Sequence, residues 1–205
     1  MIFYYAPKSV ALAAHIALEE SGLTYEARMV NFADQEQRSN EYLSINPKGR
    51  VPALETDDGI ITETPAILSY IAQISPATNL APFDTPYQFA KCQEFNLYLC
   101  STVHVAHAHR VRGTRWADDP NAISSMQEKV ANNMTDCFEL IETTMFKGPW
   151  VLGEHYSICD TYLFTLCQWL NGDGVDLRNF PKISAFEAEM RTRAAVNSLS
   201  TIYGF

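Results

Sequence analysis

Two groups of residues in this chain have the types and spacing to do chemistry. The first is Asn46-Pro-Lys-Gly-Arg-Val-Pro-Ala-Leu54, followed after a short interval by Thr62-Glu63-Thr64. Proline fixes its own φ and has no N–H. Pro52 also pushes Val51 toward an extended backbone, and a Val-Pro bond at the entrance to a strand is a candidate cis bond. Such a bend leaves the N–H and C=O of Val51 without ladder partners, and backbone groups of that kind must be paired somewhere. A bound peptide supplies such a partner. Thr62-Glu63-Thr64 opens an apolar-periodic run, so Glu63 and Thr64 fall at a helix start, where free N–H groups and the helix dipole attract a carboxylate. Thr64 adds a hydroxyl donor there, and Glu63 can receive an ammonium. The same three residues also read as a plain helix cap.

The second group is His104-Val-Ala-His107-Ala-His109 with Arg110, Arg112 and Arg115 close behind. On a helix, positions 104 and 107 share a face with Val111 and Arg115 while 109 points elsewhere. Three such ligands do not converge on one metal from a straight helix, and no cysteine or carboxylate stands at a matching offset. The arginines make a local cationic patch that suits an acidic ligand or reads as a salt-bridged helix face.

The elements that must hold these residues divide the chain in two. Ile2–Tyr5 predicts a strand, Ser9–Ser21 a helix stopped by Gly22, and Tyr25–Val30 a second strand. Glu36–Ile45 predicts a polar helix, Asp57-Asp58-Gly59 a hairpin turn, and Glu63–Ile74 a helix with Ala66, Ile67, Tyr70 and Ile71 on one face. The order βαβαββα gives a small mixed sheet with helices packed on it, over residues 1–76. Prolines 76, 82 and 86 mark a linker over 77–86. Residues 87–205 read as all-helical, with long runs at Tyr87–Trp116 and Ala122–Phe146, an all-round apolar core helix at Thr161–Leu170, and a last clear helix at Ile183–Arg193. Ser157 and Asp160 form a capping box at the start of the core helix.

Composition narrows the function classes. A chain of 205 residues with 47% hydrophobic content can bury a sizeable core. A net charge of −9 argues against nucleic acid and anionic membrane as partners. No apolar run is long enough to span a bilayer, and Met1-Ile-Phe-Tyr-Tyr5 lacks the pattern of a signal peptide, so a cytoplasmic location is expected. The five cysteines, at 92, 100, 137, 159 and 167, are odd in number and contain no C-x-x-C, which points to buried free thiols.

Four stretches give the chain its family resemblance: Phe3-Tyr-Tyr-Ala-Pro7 with His15-Ile-Ala-Leu-Glu-Glu20, the Asn46–Leu54 run, Thr62-Glu63-Thr64 with Ala66-Ile-Leu-Ser-Tyr-Ile71, and Tyr156-Ser-Ile-Cys-Asp-Thr161. Over essentially its whole length the chain resembles the cytosolic glutathione transferases, most closely the bacterial, beta-class-like branch. The resemblance implies a thioredoxin-like N-terminal α/β domain, an all-α C-terminal domain and a homodimer, with glutathione as co-substrate at the domain boundary and no separate cofactor or metal. It implies that Glu63 and Thr64 hold the γ-glutamyl group, that Val51 and Pro52 pair with the cysteinyl part, and that His104 lies near glutathione. Gln35 matches a position where relatives often carry a lysine for the glycine carboxylate.

The beta-class cysteine position is Val10 here, followed by Ala11, so the group that activates the thiol must be another one. Ser9 is the only hydroxyl in that turn, and it either caps the first helix or donates to sulfur. Tyr5, at the end of the first strand, is a second donor candidate. Two functional readings follow. One is a transferase joining the glutathione thiolate to small hydrophobic electrophiles, favoured by Ser9 and His104. The other is a non-catalytic glutathione- or ligand-binding protein that has lost the activating residue, favoured by Val10 and Ala11.

Overall fold

The computed structural model describes every residue from Met1 to Phe205. Strands β1 (Ile2–Tyr5), β2 (Glu26–Met29), β3 (Ala53–Thr56) and β4 (Gly59–Thr62) form one sheet in the order β2-β1-β3-β4. β1 and β2 run parallel, from Ile2 opposite Glu26 to Tyr5 opposite Met29, because α1 (Ala11–Ser21) returns the chain between them. β3 pairs antiparallel with both β1 and β4, and Asp57-Asp58 turns the β3–β4 hairpin. Gly22, at φ 67, closes α1 in the left-handed conformation that glycine adopts without penalty.

The polar helix expected over Glu36–Ile45 is broken in two. A short turn at Glu36–Arg38 precedes α2 (Asn40–Ile45), because Ser39 is extended and its hydroxyl accepts the N–H of Tyr42 at 3.1 Å. α3 (Thr64–Ile74) completes this part of the chain. Between α3 and α4 (Pro86–Tyr98) the only helical piece is the single turn Pro76–Thr78.

The long helical runs expected beyond it are interrupted. α4 passes through a π-helical turn, Leu99–Val103, into α5 (His104–Arg112) and the turn Gly113–Arg115. α6 (Pro120–Glu128) and α7 (Val130–Leu140) are separate, and a second π-helical turn follows at Ile141–Met145. Glu142 in that turn is buried. Its carboxylate accepts the N–H groups of Lys182 and Ile183, both at 3.0 Å, and so caps α9 (Pro181–Met190) from a distance. α9 is not the last helix. α10 (Ala194–Tyr203) follows, buried only at Val196, Leu199 and Tyr203, a thin stripe among serines and asparagine that gives little apolar signal.

α1 and α8 (Ile158–Cys167) form the centre. Ala11 to Leu18 are all buried, as are all ten residues of α8, and the two helices pack on each other. Helices apolar on every side need cover on every side, and here the sheet, α3 and α10 complete that cover around α1. The start of α8 lies in the dry interior. Asp160 therefore accepts the N–H of Ser157 at 2.7 Å and the N–H of Val151 at 2.8 Å, while the Ser157 hydroxyl accepts the N–H of Cys159 at 3.3 Å. Burial pushes the Asp160 carboxyl up to about 7, against the pull of the hydrogen bonds from Val151 and Ser157.

Two stability predictions follow from these contacts. Asp160→Ala leaves two buried N–H groups unpaired, which costs about 2–4 kcal/mol at the usual desolvation penalty. A melting curve matching wild type would remove Asp160 from that role. His15 on α1 is buried beside Phe3 and Tyr5, with Nδ1 3.0 Å from the Tyr203 hydroxyl, and burial lowers its pKa from 6.5 to about 4. The unfolded chain therefore takes up a proton first as the pH drops below 6.5. The stability gained from neutral His15 is present above that value and is lost as the pH falls toward 4. In thermal melts across this window, His15→Gln should lose less stability than wild type. Equal losses would overturn the assignment.

Candidate functional site

The loop between α2 and β3 is held in shape by its own polar groups. Asn46, almost wholly buried, donates its side-chain N–H to the Arg50 carbonyl at 2.7 Å, and the Tyr42 hydroxyl donates to the same carbonyl at 2.7 Å. Gly49 sits at φ +60, and a Cβ there would meet the Gln37 carbonyl oxygen at 2.8 Å, so no larger residue fits. The Val51-Pro52 bond is cis. Neither the N–H nor the C=O of Val51 finds a partner in the protein, although the residue is buried. The loop thus presents one free donor and one free acceptor of main chain toward a cleft.

α3 starts at the edge of that cleft. Glu63 precedes the helix at φ 74, a left-handed conformation that costs a non-glycine residue of order 1 kcal/mol or more. Its side chain makes no capping bond, so it is not spent on the helix. Its carboxylate instead meets the Lys48 ammonium at 2.5 Å, and Lys48 also donates to the Thr62 hydroxyl at 2.7 Å. Thr64 follows with a hydroxyl bonded to nothing else in the protein, beside first-turn N–H groups that have no intrahelical acceptor. This end of α3 can take a carboxylate, and Glu63 can take an ammonium. The Lys48 pair is exposed, and exposed pairs contribute little, so an incoming ammonium can share or replace Lys48.

The opposite wall comes from α5 and from Val10 at the start of α1. A cleft of about 290 Å³ lies between Val51, Glu63 and Thr64 on one side and Cys100, His104 and Arg115 on the other. A second cleft of about 190 Å³ adjoins it, and the two share Val10, Arg50, Val51, His104 and Arg115. The π-helical turn Leu99–Val103 ends at His104 and sets the phase in which α5 faces the clefts. Burial, helped by the nearby charges of His107, Arg115 and Arg50, lowers the pKa of His104 to about 4. His104 is therefore a neutral ring near pH 7, with one N–H to donate and no protein partner for it. Its ring lies 5.0 Å from that of Trp169, which stacks on His107 at 4.1 Å. His107 is held by the buried Asp173 carboxylate at 2.8 Å, and Arg110 pairs with the same carboxylate at 3.2 Å. His109 packs edge-on against Trp116, away from the other two histidines.

Val51, Pro52, Glu63, Thr64 and His104 all line the first cleft. Ser9 lines the second, with its hydroxyl donating to the Ala6 carbonyl at 2.7 Å and accepting the N–H of Ala11 at 3.2 Å. Tyr5 and Gln35 line neither cleft. The Tyr5 side chain shares the face of β1 that carries Phe3, and its ring packs among Phe3, His15 and Tyr203. Gln35 is spent on a left-handed turn at φ 56 ahead of Glu36. Of the three arginines expected as one patch, Arg112 and Arg115 reach the clefts while Arg110 is engaged with Asp173. Arg38, Arg50, Cys100, Tyr162 and Trp169 also line the clefts, and Lys48 joins the site through Glu63; none of them stands out in the sequence as a site residue. Lys48 and Arg50 sit within the run that was singled out. The others reach the clefts from distant parts of the chain.

A fold of this type, with a main-chain docking loop and a helix start facing a histidine-bearing helix, has clear relatives. The glutathione S-transferase N-terminal domain family matches residues 1–73. A glutathione transferase homologue from Sulfitobacter, solved with bound glutathione, superposes with a TM-score of 0.94 and 44% identity, over 98% of this chain and 96% of that one. A bacterial beta-class glutathione S-transferase from Sphingomonas chungbukensis gives a TM-score of 0.85 and 28% identity, over 100% and 99% of the two chains. Glutathione S-transferase GstA of Escherichia coli is 28% identical, covering 100% of this chain and 99% of its own. The chain belongs to the glutathione transferase family.

Proposed function

We propose that this protein binds glutathione across the first cleft and transfers its thiolate to a small electrophile. The observation that carries this reading is the unpaired N–H and C=O of buried Val51 beside the start of α3. The γ-glutamyl carboxylate goes to the Thr64 hydroxyl and the α3 N-terminus, its ammonium to Glu63, and the cysteinyl amide to Val51. A free thiol has a pKa near 8.5 and is mostly protonated near pH 7. Arg50 and Arg115 stand beside the cleft without acidic partners, and positive charge of that kind favours the thiolate. Val10 has no polar atom to offer, and the Ser9 hydrogen is committed to Ala6. We therefore assign the sulfur's hydrogen-bond donor to the neutral ring of His104. In the reaction, sulfur forms a bond to the electrophilic carbon, the leaving group departs with its electron pair, and the thiol proton passes to solvent. Val10, Val105 and Ala108 give the acceptor an apolar wall. A homodimer is the expected assembly, with Tyr87 and Leu97 of α4, 70% and 54% exposed, as apolar side chains available for it. No helix is long and apolar enough to cross a membrane, which suits the proposed cytoplasmic location.

The alternative, a binding protein without turnover, is favoured by apolar Val10 and by the committed Ser9 hydroxyl. One experiment separates the two readings. Conjugation of chlorodinitrobenzene is measured for wild type, Thr64→Ala and His104→Ala, together with retention on immobilised glutathione. Wild type should turn over. Thr64→Ala should raise the glutathione KM roughly tenfold, the loss of one charge-assisted hydrogen bond. His104→Ala should lower kcat by about tenfold or more at a similar glutathione KM. Retention without turnover would establish the binding reading instead, and full activity in His104→Ala would return the donor role to Ser9.

A further inference from the structure

The second cleft is lined by Lys8, Arg38, Arg50, Arg112 and Arg115 and by no aspartate or glutamate. This occurs in a chain with 15 Lys and Arg against 24 Asp and Glu. Seven of those 15 cations (Arg28, Lys48, Lys91, Arg110, Arg178, Arg191 and Arg193) have an acidic partner in the fold, and five of the eight others converge on this one cleft. The five come from four separate places in the sequence. Lys8 follows β1, Arg38 ends the turn before α2, Arg50 belongs to the docking loop, and Arg112 ends α5 with Arg115 closing the turn after it. The cluster costs something to assemble. Burial lowers the Arg115 pKa, and repulsion from Arg50, Arg112 and Arg38 lowers it further. Lys8 stands in a left-handed backbone at φ 57. Between the cations lie Phe32, Val10 and Trp169.

We propose that this cleft takes a carboxylate carried by the electrophile, so that the protein's acceptor substrates are acidic, flat molecules held by Arg112 and Arg115. The inference rests on the glutathione reading above and extends it by a count of charges. Glutathione brings two carboxylates and one ammonium. On that reading one carboxylate and the ammonium go to the start of α3. The glycine carboxylate and the thiolate are left, two negative charges for five cations. A further anion is needed, and guanidinium forks match a carboxylate in a bidentate way that an ammonium does not. Phe32 and Trp169 give a flat acid its apolar contact.

The test uses the full-length protein saturated with S-methylglutathione, which cannot react. Binding of dinitrobenzoate and of its uncharged methyl ester is measured by calorimetry for wild type and for Arg112→Gln, which lines the second cleft alone. Wild type should bind the acid about tenfold more tightly than the ester, and Arg112→Gln should lose most of that preference while holding S-methylglutathione unchanged. Equal affinity for acid and ester in wild type overturns the proposal. So does an Arg112→Gln variant whose loss falls on S-methylglutathione, since Arg112 then serves the glycine carboxylate. If S-methylglutathione does not bind at all, the glutathione reading fails by itself, and the acid–ester comparison on the free protein still decides the anion site. With glutathione and chlorodinitrobenzoate the same preference should appear in kcat/KM. In that reaction the sulfur–carbon bond forms, chloride leaves with its electron pair, and the thiol proton goes to solvent.

Discussion

Everything in this molecule is arranged around a helix that cannot touch water. α8 buries all ten of its residues, and α1 is nearly as enclosed. A helix carries unmet N–H groups at its start wherever it lies, and in the interior no solvent can meet them. Asp160 and Ser157 meet them instead, and Asp160 also ties down Val151 from the preceding loop. That cap fixes α8, α8 supports α1, and α1 underlies the sheet whose strand β3 receives the docking loop. The same demand is met elsewhere by a distant group, since Glu142 caps α9 across a gap of 40 residues.

The candidate site inverts this economy. The core leaves a few polar groups unpaired, among them the Asn96 amide and the Tyr156 hydroxyl, and the clefts gather many more in one place. Val51 keeps both backbone groups free, Thr64 its hydroxyl, His104 its ring nitrogens and five cations their charge. Two of the residues concerned, Lys8 and Glu63, also hold left-handed backbones that their side chains disfavour. Unmet groups and local strain gathered in one place mark the region where the missing partners come from outside.

The legible parts of the sequence were those governed by local rules. Proline after Val51, glycine after Ser21, the Asp-Asp-Gly turn and the Ser157–Asp160 spacing each act within a few residues, and the fold reproduces all of them. The pattern over Glu36–Ile45 does not reveal its break, because Ser39 fits a helical pattern and yet acts as a cap. The π-helical turns were hidden because one extra residue in a turn barely disturbs an apolar period. α10 gives little periodic signal because only three of its residues are buried. Within the site, the groups on the docking loop and at the start of α3 were visible as a contiguous motif. The Trp169–His107–Asp173 stack and the ring of cations were not, since they join positions far apart in the chain.

The free N–H and C=O of Val51 have a consequence for turnover. Main-chain pairing reads the spacing of amides and is blind to what hangs from the residue between them. On the assignment proposed here, glutathione and its S-substituted product make the same contacts at Val51 and at the start of α3. Grip of this kind stabilises reactant and product alike and does nothing to hurry the product away. The two are told apart only at the sulfur and beyond it, where the second cleft begins. That cleft, and not the tighter hold on the peptide, then governs how long a finished molecule stays and how soon the next one enters.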